Sequence, residues 1–533
     1  MITIPCLVLL LAAAAPQEPA AAPAAAKRTP TFTQDVAPIM FASCARCHRT
    51  GEVAPFALLS YADARKHGKT IRQVVEDRFM PPWHPVPGYG EFRHSMRLRD
   101  EQVQTILAWV DADMPEGPKE ALPPLPKFPE GWQLGEPDLV VHMKAGFDVP
   151  ASGRDIYRNF AIPLDLPDDR WITAVEVRPS ARAVLHHIIF MADETGEARQ
   201  QDGQDGKPGY NGMRLQRSPT IGGWAVGGMP EHLPDGLGIK LPKGTDLVLQ
   251  SHFHPSGKAA TEQTTIGLYF AKKPPARTIV PIQLPPFFGI AAGLDIPAGD
   301  SHWRLEDSFV LPCDVDAVTV GGHAHMLCRT LRMQAEAAGG DKIPLLLIDD
   351  WDFDWQNRYT YSQLVRLPKG ATVRAELVYD NSKDNPNNPN KPPKRVRWGR
   401  ESTDEMGSIT LMVVPADEKD LAVLRDAVKT HMAEGALSRF GDQLDARFKQ
   451  YDKNNDGKIS RDEATGMMRR FFDTLDKNHD GSIDKPELES MLKNIGGGIG
   501  GVGGDDDGGA PAGGGRGGRK GGDSKGGKGG GDK

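Results

Sequence analysis

Between about Pro137 and Asp417 the chain is a succession of short apolar or alternating runs broken by turn residues. "ITAVEVRPS", "DLVLQSHFH", "TTIGLYFA", "DAVTVGGHAHM" and "SITLMVV" are examples. Runs this short, rich in β-branched residues and punctuated by turns, are those of antiparallel β-sandwiches. The stretch is long enough for two, and a break at "AKKPPART" (Ala271 to Thr278) divides it. The expected units are jelly-roll-like sandwiches over 137–275 and 276–418. Residues 31–120 carry short helical patterns and predict a small all-α unit. "LPPLPKFPEGW" marks a proline-rich connector over 121–136. Helical pattern resumes from about Leu421.

The two ends differ from the rest. Residues 1–15 combine a short apolar core with small residues, as an export signal does, although no positive charge precedes the core. An Ala/Pro linker covers 16–30. Cys6 lies too early to be a lipoprotein cysteine. The expected location is periplasmic or secreted, in a bacterium. Residues 496–533 are Gly/Asp/Lys repeats that cannot bury enough apolar surface to fold, and disorder is expected there. A net charge of −7 gives no reason to expect nucleic acid as a partner. No later apolar run is long enough to span a bilayer. In an oxidising compartment Cys313 and Cys328 could form a disulfide; two buried thiols are the alternative, and the expectation leans to the bond.

"FASCARCHRTG" holds C-x-x-C-H: Cys44, Cys47 and His48. Two thiols at this spacing can bond to the vinyl groups of one haem while the histidine reaches the iron. There is no second CxxC to complete a zinc site. "RFMPPWHP" supplies Met80 as the sixth ligand, with His94 and Met96 in "RHSMR" as competitors. The segment resembles a small bacterial cytochrome c domain.

"VLHHIIF" (Val184 to Phe190) reads as a buried strand interrupted by two adjacent histidines. Adjacent strand side chains point to opposite faces, so His186 and His187 share one ion only at a bulge or a strand end. "VLQSHFH" offers His252 and His254. "GGHAHML" offers His323 and His325, two apart and therefore on one face. Imidazole suits copper, zinc, iron or nickel, and a thioether such as Met406 in "STDEMGSITLMVV" tilts the choice to copper. A core methionine is the plainer reading of Met406.

Four motifs in this order, over about Pro137 to Asp417, resemble the ascorbate-dependent type II copper monooxygenases, the peptidylglycine α-hydroxylating and dopamine β-hydroxylating type. The resemblance implies two sandwiches facing each other across a cleft. One copper would sit on His186, His187 and His252, and a second on His323, His325 and Met406. It implies that O2 is used at the Met-bearing copper to hydroxylate an unactivated C–H, and that the all-His copper supplies an electron. His323, His325 and Met406 are then the catalytic set. His254 has no counterpart, and Gln250 matches a family glutamine. Departures matter: where the peptide-hydroxylating members hold a peptide carboxylate with Arg, Asn and Tyr, this chain has Gly321, Ser408 and Thr410. A peptidylglycine substrate is therefore not expected. The loop "DNSKDNPNNPNKPPKRVRWG" (Asp380 to Gly399) reads equally as an ordered rim or lid and as a surface excursion.

Over 440–495, "DKNNDGKISRDE" and "DKNHDGSIDKPE" fit the EF-hand calcium loop. The first offers Asp452, Asn454, Asp456, Lys458, Ser460 and Glu463; the second offers Asp476, Asn478, Asp480, Ser482, Asp484 and Glu487. Structural calcium is favoured over a switch.

The leading expectation is an exported copper monooxygenase with two coppers, one covalent c-type haem and two calcium ions. It would act on O2 and a small organic substrate, with ascorbate or a redox protein as external electron donor. The fused haem is a candidate electron source. The alternatives are an electron-transfer or binding protein without hydroxylase activity, and a zinc hydrolase.

Overall fold

The computed structural model describes residues 28–488, apart from 51, 53, 130, 212–219, 290–291, 400, 466–467 and 470–471. The export signal, most of the Ala/Pro linker and the Gly-rich tail lie outside the described residues.

Helices come first: α1 (Ala37–Ser43), α2 (Tyr61–Lys66), α3 (Gly68–Glu76) and α4 (Asp100–Asp111). In α4, Val103, Ile106 and Leu107 fall on one face at helical spacing and are buried. The Gln102 side chain reaches back to the Arg99 N–H at its start. Trp109 is fully buried, and its indole N–H donates to the Pro115 carbonyl. It packs with Phe32, Met40 and Val75 in a small core of its own.

Eleven strands follow: β1 (Leu139–His142), β2 (Phe147–Val149), β3 (Ile156–Pro163), β4 (Arg170–Arg178), β5 (Leu185–Asp193), β6 (Thr220–Ala225), β7 (Leu237–Leu241), β8 (Asp246–Phe253), β9 (Ala260–Glu262), β10 (Thr265–Phe270) and β11 (Arg277–Thr278). They form a sheet in the order β1-β10-β4-β7-β11 and another in the order β3-β8-β5-β6. The inner residues of both, among them Ile172, Leu268, Phe190 and Leu249, make one core. A short helix, α5 (Glu197–Gln201), follows β5.

The next ten strands are β12 (Val280–Leu284), β13 (Asp295–Ile296), β14 (Trp303–Val310), β15 (Val315–Ala324), β16 (Cys328–Glu336), β17 (Lys342–Ile348), β18 (Arg358–Leu367), β19 (Thr372–Tyr379), β20 (Val396–Arg397) and β21 (Gly407–Pro415). Sheets β12-β21-β15-β18 and β14-β19-β16-β17 enclose a second, larger core. The chain is thus mostly antiparallel sheet with few helices, and its two large cores part between β11 and β12.

Two expectations need correction. Cys313 and Cys328 are free, buried thiols. Leu311 and Cys328 sit at opposite ends of β19, the first bonded to Ala371 and the second paired with Tyr379. That is roughly 25 Å at the rise of a strand, far beyond what a disulfide spans. The expected boundary at 440 falls inside a continuous helix, α6 (Leu421–Tyr451), whose Leu424 belongs to the second sandwich's core. His431 Nε2 lies 2.9 Å from Asp307 on β14. The helix ends at the first calcium loop.

The Asp380–Gly399 loop is ordered. Asn381 is buried and its amide donates to the carbonyls of Pro297 and Lys394, while Asn388 donates to Asn381. It leads through the Gly399 N–H, which donates to Glu405, into the turn that carries Met406.

Candidate metal centres

In β5 the register against β8 slips between Leu185 and His187. This is the bulge that the doubled histidine requires. His186 is the extra residue, and His187 faces His252 directly. The His186 and His187 Nδ1 atoms are 3.0 Å apart, and those of His252 and His187 are 3.4 Å apart. The candidate ligand atoms of all three lie within 4.8 Å of one another. Burial holds His187 well below its ordinary range, and the neighbouring imidazoles add to this; the ring stays neutral, as a metal ligand must. The outer nitrogens meet carboxylates. His252 Nε2 lies 3.0 Å from Asp155, off the ideal N–H direction, and His186 Nε2 lies 3.5 Å from Asp354. Asp155 is buried, which pushes its carboxyl up, but the nearby His252 imidazole and the bonds from Ser402 and His254 outweigh this and hold it low. His254, left outside the expected ligands, is a partner of Asp155 at 2.7 Å. Gln250 donates to Asn159.

The second cluster is built on β15 and β21. The ladder pairs His323 with Ser408 and Ala324 with Gly407, so His325 and Met406 stand one step beyond its end, across from each other. Alternation puts His323, His325 and Met406 on one face. Here Nδ1 is turned away. The Gln356 amide N–H donates to the Phe353 carbonyl, which leaves Gln356 Oε1 to accept from His323 Nδ1 at 2.6 Å. His325 Nδ1 donates to the Asp404 carbonyl at 3.2 Å. Both rings therefore present a lone pair at Nε2. Burial lowers His323 to about 4 and His325 to about 3. Glu405 is buried and its carboxylate accepts the N–H groups of His325, Leu327 and Met406, locking the two strand ends together. The Tyr379 hydroxyl donates to the Met406 carbonyl.

The two clusters lie side by side. The His187 and His323 rings are 6.0 Å apart. Phe353 stacks on His186 at 4.9 Å and stands edge-on to His325 at 5.8 Å. Asp155 of the first sandwich accepts from Ser402 of the second at 2.7 Å. Reading the sequence missed Asp155, Phe353, Gln356 and Glu405. "DWDFDWQN", an aromatic and acidic run between two strands, was the available signal for two of them.

In the helical unit, His48 Nδ1 donates to the Phe56 carbonyl at 3.1 Å, leaving Nε2 free as an axial ligand needs. Burial and the adjacent Cys47 push Cys44 up to about 12, and burial also raises Cys47. Met80 is half-buried, anchored by its N–H to Val74; His94 is exposed and Met96 half-buried. The 80–96 segment grips the second sandwich: the Val86 N–H donates to Leu347, Arg93 to Thr360, and Trp83 stands edge-on to Tyr359 at 5.2 Å. Cys47 and Glu52 share a small cavity with Arg182, Trp224 and Met229 of the first sandwich.

In the calcium loops, β22 (Lys458–Ser460) and β23 (Ser482–Asp484) pair through Ile459 and Ile483. Gly457 and Gly481 make the turns at φ 81° and 84°. Asp452 and Asp476 accept N–H groups within their loops. Glu463 and Glu487 fold back over loop N–H groups as twelfth-position ligands do. Asn454, Asp456, Asn478 and Asp480 face the same loops, with Ser460 and Asp484 each bonded to the terminal glutamate's turn.

An EF-hand domain model matches residues 467–497 and an EF hand model matches 444–463. The chain therefore carries two calcium-binding EF-hands. No curated protein matches. Among solved structures, the major capsid protein P2 of Bacteriophage PM2 aligns at 9% identity and TM-score 0.22, over 52% of this chain and 96% of that one. Peptide: N-glycanase F (PNGase F) aligns at 11% and 0.22, over 53% and 96%. The cowpea mosaic virus top component aligns at 8% and 0.25, over 54% and 91%. Scores this low carry no argument. No helix among the described residues is long and apolar enough to cross a membrane.

Proposed function

We propose that the chain is a copper-dependent monooxygenase that hydroxylates an unactivated C–H with O2 and draws electrons through a covalent c-type haem. The observation that carries this reading is the pairing of two neutral-imidazole clusters, 6.0 Å apart at His187 and His323, each with its ring nitrogens fixed by outer partners. The donor sets fit copper: three imidazoles in one, two imidazoles and a thioether in the other, with no carboxylate among the inner ligands. Copper bound there supplies one-electron redox chemistry and an open position for O2. The chain's own part is orientation. Gln356 and the Asp404 carbonyl hold the His323 and His325 tautomers. Glu405 fixes the His325 and Met406 backbones at one spacing. Phe353 packs against a ring of each cluster.

The thiols of Cys44 and Cys47 with His48 fit one haem, which supplies an electron when bound. The Cys47 cavity borders Trp224, and the Val226 N–H donates to the His186 carbonyl two residues on, which favours electron entry at the first cluster. The calcium loops are read as structural.

The test is copper content and O2 uptake of the full chain. Two coppers per chain, with reductant-dependent O2 uptake that His323→Ala abolishes, are expected. Full copper without O2 uptake under any reductant would make the chain an electron carrier instead.

A further inference from the structure

A second cavity, of about 180 Å³, adjoins the one beside Cys47, and the two share Glu52, Gln133 and Arg182. Three segments far apart in sequence build it. The helical unit supplies Arg49 and Glu52, and the first sandwich supplies Glu176, Arg178 and Arg182. The proline-rich connector closes it with Phe128 and Gln133.

Charge decides what this space can hold. Glu176 is buried and already spent: its carboxylate accepts the N–H groups of Gln133 and Leu134 at 2.9 and 3.2 Å and the Tyr269 hydroxyl at 3.2 Å. Glu52 is divided, with one oxygen 2.7 Å from Arg49 and the other 3.0 Å from Arg182. Arg178 donates to the Gly131 carbonyl, and Arg46 borders the adjoining recess. Among the described residues neither of these two is paired with a carboxylate. The joined cavities thus set four guanidiniums against two carboxylates, a surplus of two positive charges. A guanidinium carries five N–H donors, so even the paired ones keep some to spare. Rings of the connector hold two of the forks in place: Arg49 lies 3.9 Å over Phe128, and Arg178 lies 4.6 Å over Trp132. Size sets the other limit. A cavity of about 150 Å³ takes one benzene, so this one has room for about six to ten non-hydrogen atoms.

We propose that this cavity binds a small dianion with oxyanion groups, a dicarboxylate or a phosphate, and that the ligand clamps the helical unit and the connector onto the first sandwich. Guanidiniums from both sides can each give such a ligand two parallel N–H bonds. Neither histidine cluster borders the cavity, so the site is independent of the copper reading.

The test is equilibrium dialysis of the full chain, copper-loaded and copper-free, against inorganic phosphate, succinate and the neutral succinamide. One anion per chain should bind saturably, equally well with and without copper. Succinamide should bind at least about tenfold more weakly than succinate, the least expected when charge-assisted hydrogen bonds are lost. Arg178→Gln should weaken the anion by a similar factor and leave the copper content unchanged. Binding of either anion supports the site, and the tighter one tells a phosphate ligand from a dicarboxylate. No saturable binding of either, equal binding of succinamide, binding that requires copper, or unchanged affinity in Arg178→Gln overturns the proposal. Should Arg178→Gln fail to fold, Arg182→Gln is read by the same criterion. The clamp has its own readout. Lys127 is exposed and precedes Phe128, so tryptic cleavage there should slow as the anion saturates, and an unchanged rate overturns the clamp.

Discussion

In the first cluster three Nδ1 atoms meet, and the outer nitrogens of His186 and His252 face carboxylates. In the second, Nδ1 is spent on neutral partners, Gln356 and a carbonyl, and Nε2 is left for the ligand role. The difference starts in the strands. A bulge swings two adjacent rings to one side and brings their near nitrogens together. A regular ladder stacks rings two residues apart, and the near nitrogen meets the strand's surroundings instead. Carboxylate partners make imidazole a stronger donor and hold it in place. On the proposed copper reading, the first cluster would hold its ion in one geometry, and the second, with neutral partners and Met406 across from His325, would exchange ligands more readily.

Removing a ligand tests this most severely. His187→Ala should lose one copper and keep the other, and His323→Ala should do the converse, each weakening its own site well beyond the 10–100-fold typical of outer partners. Metal analysis of both variants reads the result; loss of both coppers in either one would mean a single merged centre. Outer partners come next. Asp155→Asn should weaken only the first site and Gln356→Leu only the second, each by about 10–100-fold. Copper titration followed by electron paramagnetic resonance distinguishes the sites, and equal effects on both would erase the contrast.

Packing gives a smaller effect. A Cβ at Gly407 would overlap the Tyr379 hydroxyl that holds the Met406 carbonyl. Gly407→Ala should cost about 1–3 kcal/mol in urea unfolding and loosen the second site alone. Acid gives a graded test. His323 and His325 are held at about 4 and about 3, whereas unfolded imidazoles titrate near about 6.5. Between these values the unfolded chain binds more protons, so the stability of the metal-free protein is full above about 6.5 and falls as pH drops. Urea midpoints at several pH values should decline on acidification, less so in His323→Leu. A flat profile would show that the rings are not buried. The smallest effect should come from calcium removal, which is expected to melt the EF-hands and leave both copper counts unchanged.

Much of this was legible in local pattern. The i, i+2 histidines announce their shared face because strand periodicity is local, and the doubled histidine demanded the bulge that β5 contains. The EF-hand loops were legible as loops, and EF-hand models match both stretches. What was not legible comes from chain brought together over long separations. Asp155 meets Ser402, Glu52 of the helical unit meets Arg182, and Arg358 meets Gly222, and no window of sequence holds both members of any pair. Cys313 and Cys328 suggested a bond for the same reason in reverse: near in sequence, they are held apart by the full length of a strand. The export signal and the tail remain expectations from composition.

The long helix α6 has a consequence for how the chain comes apart. Its first turns are pinned by Leu424 and His431, and its last leads into the calcium loops. From His431 to Tyr451 it advances about 30 Å as a single rod. Gly435 and Gly441 lie within that reach, and each glycine weakens a helix interior by about 1 kcal/mol relative to alanine. A protease should therefore find its first cut there, releasing the calcium module and leaving the sandwiches intact: the rod is also a seam.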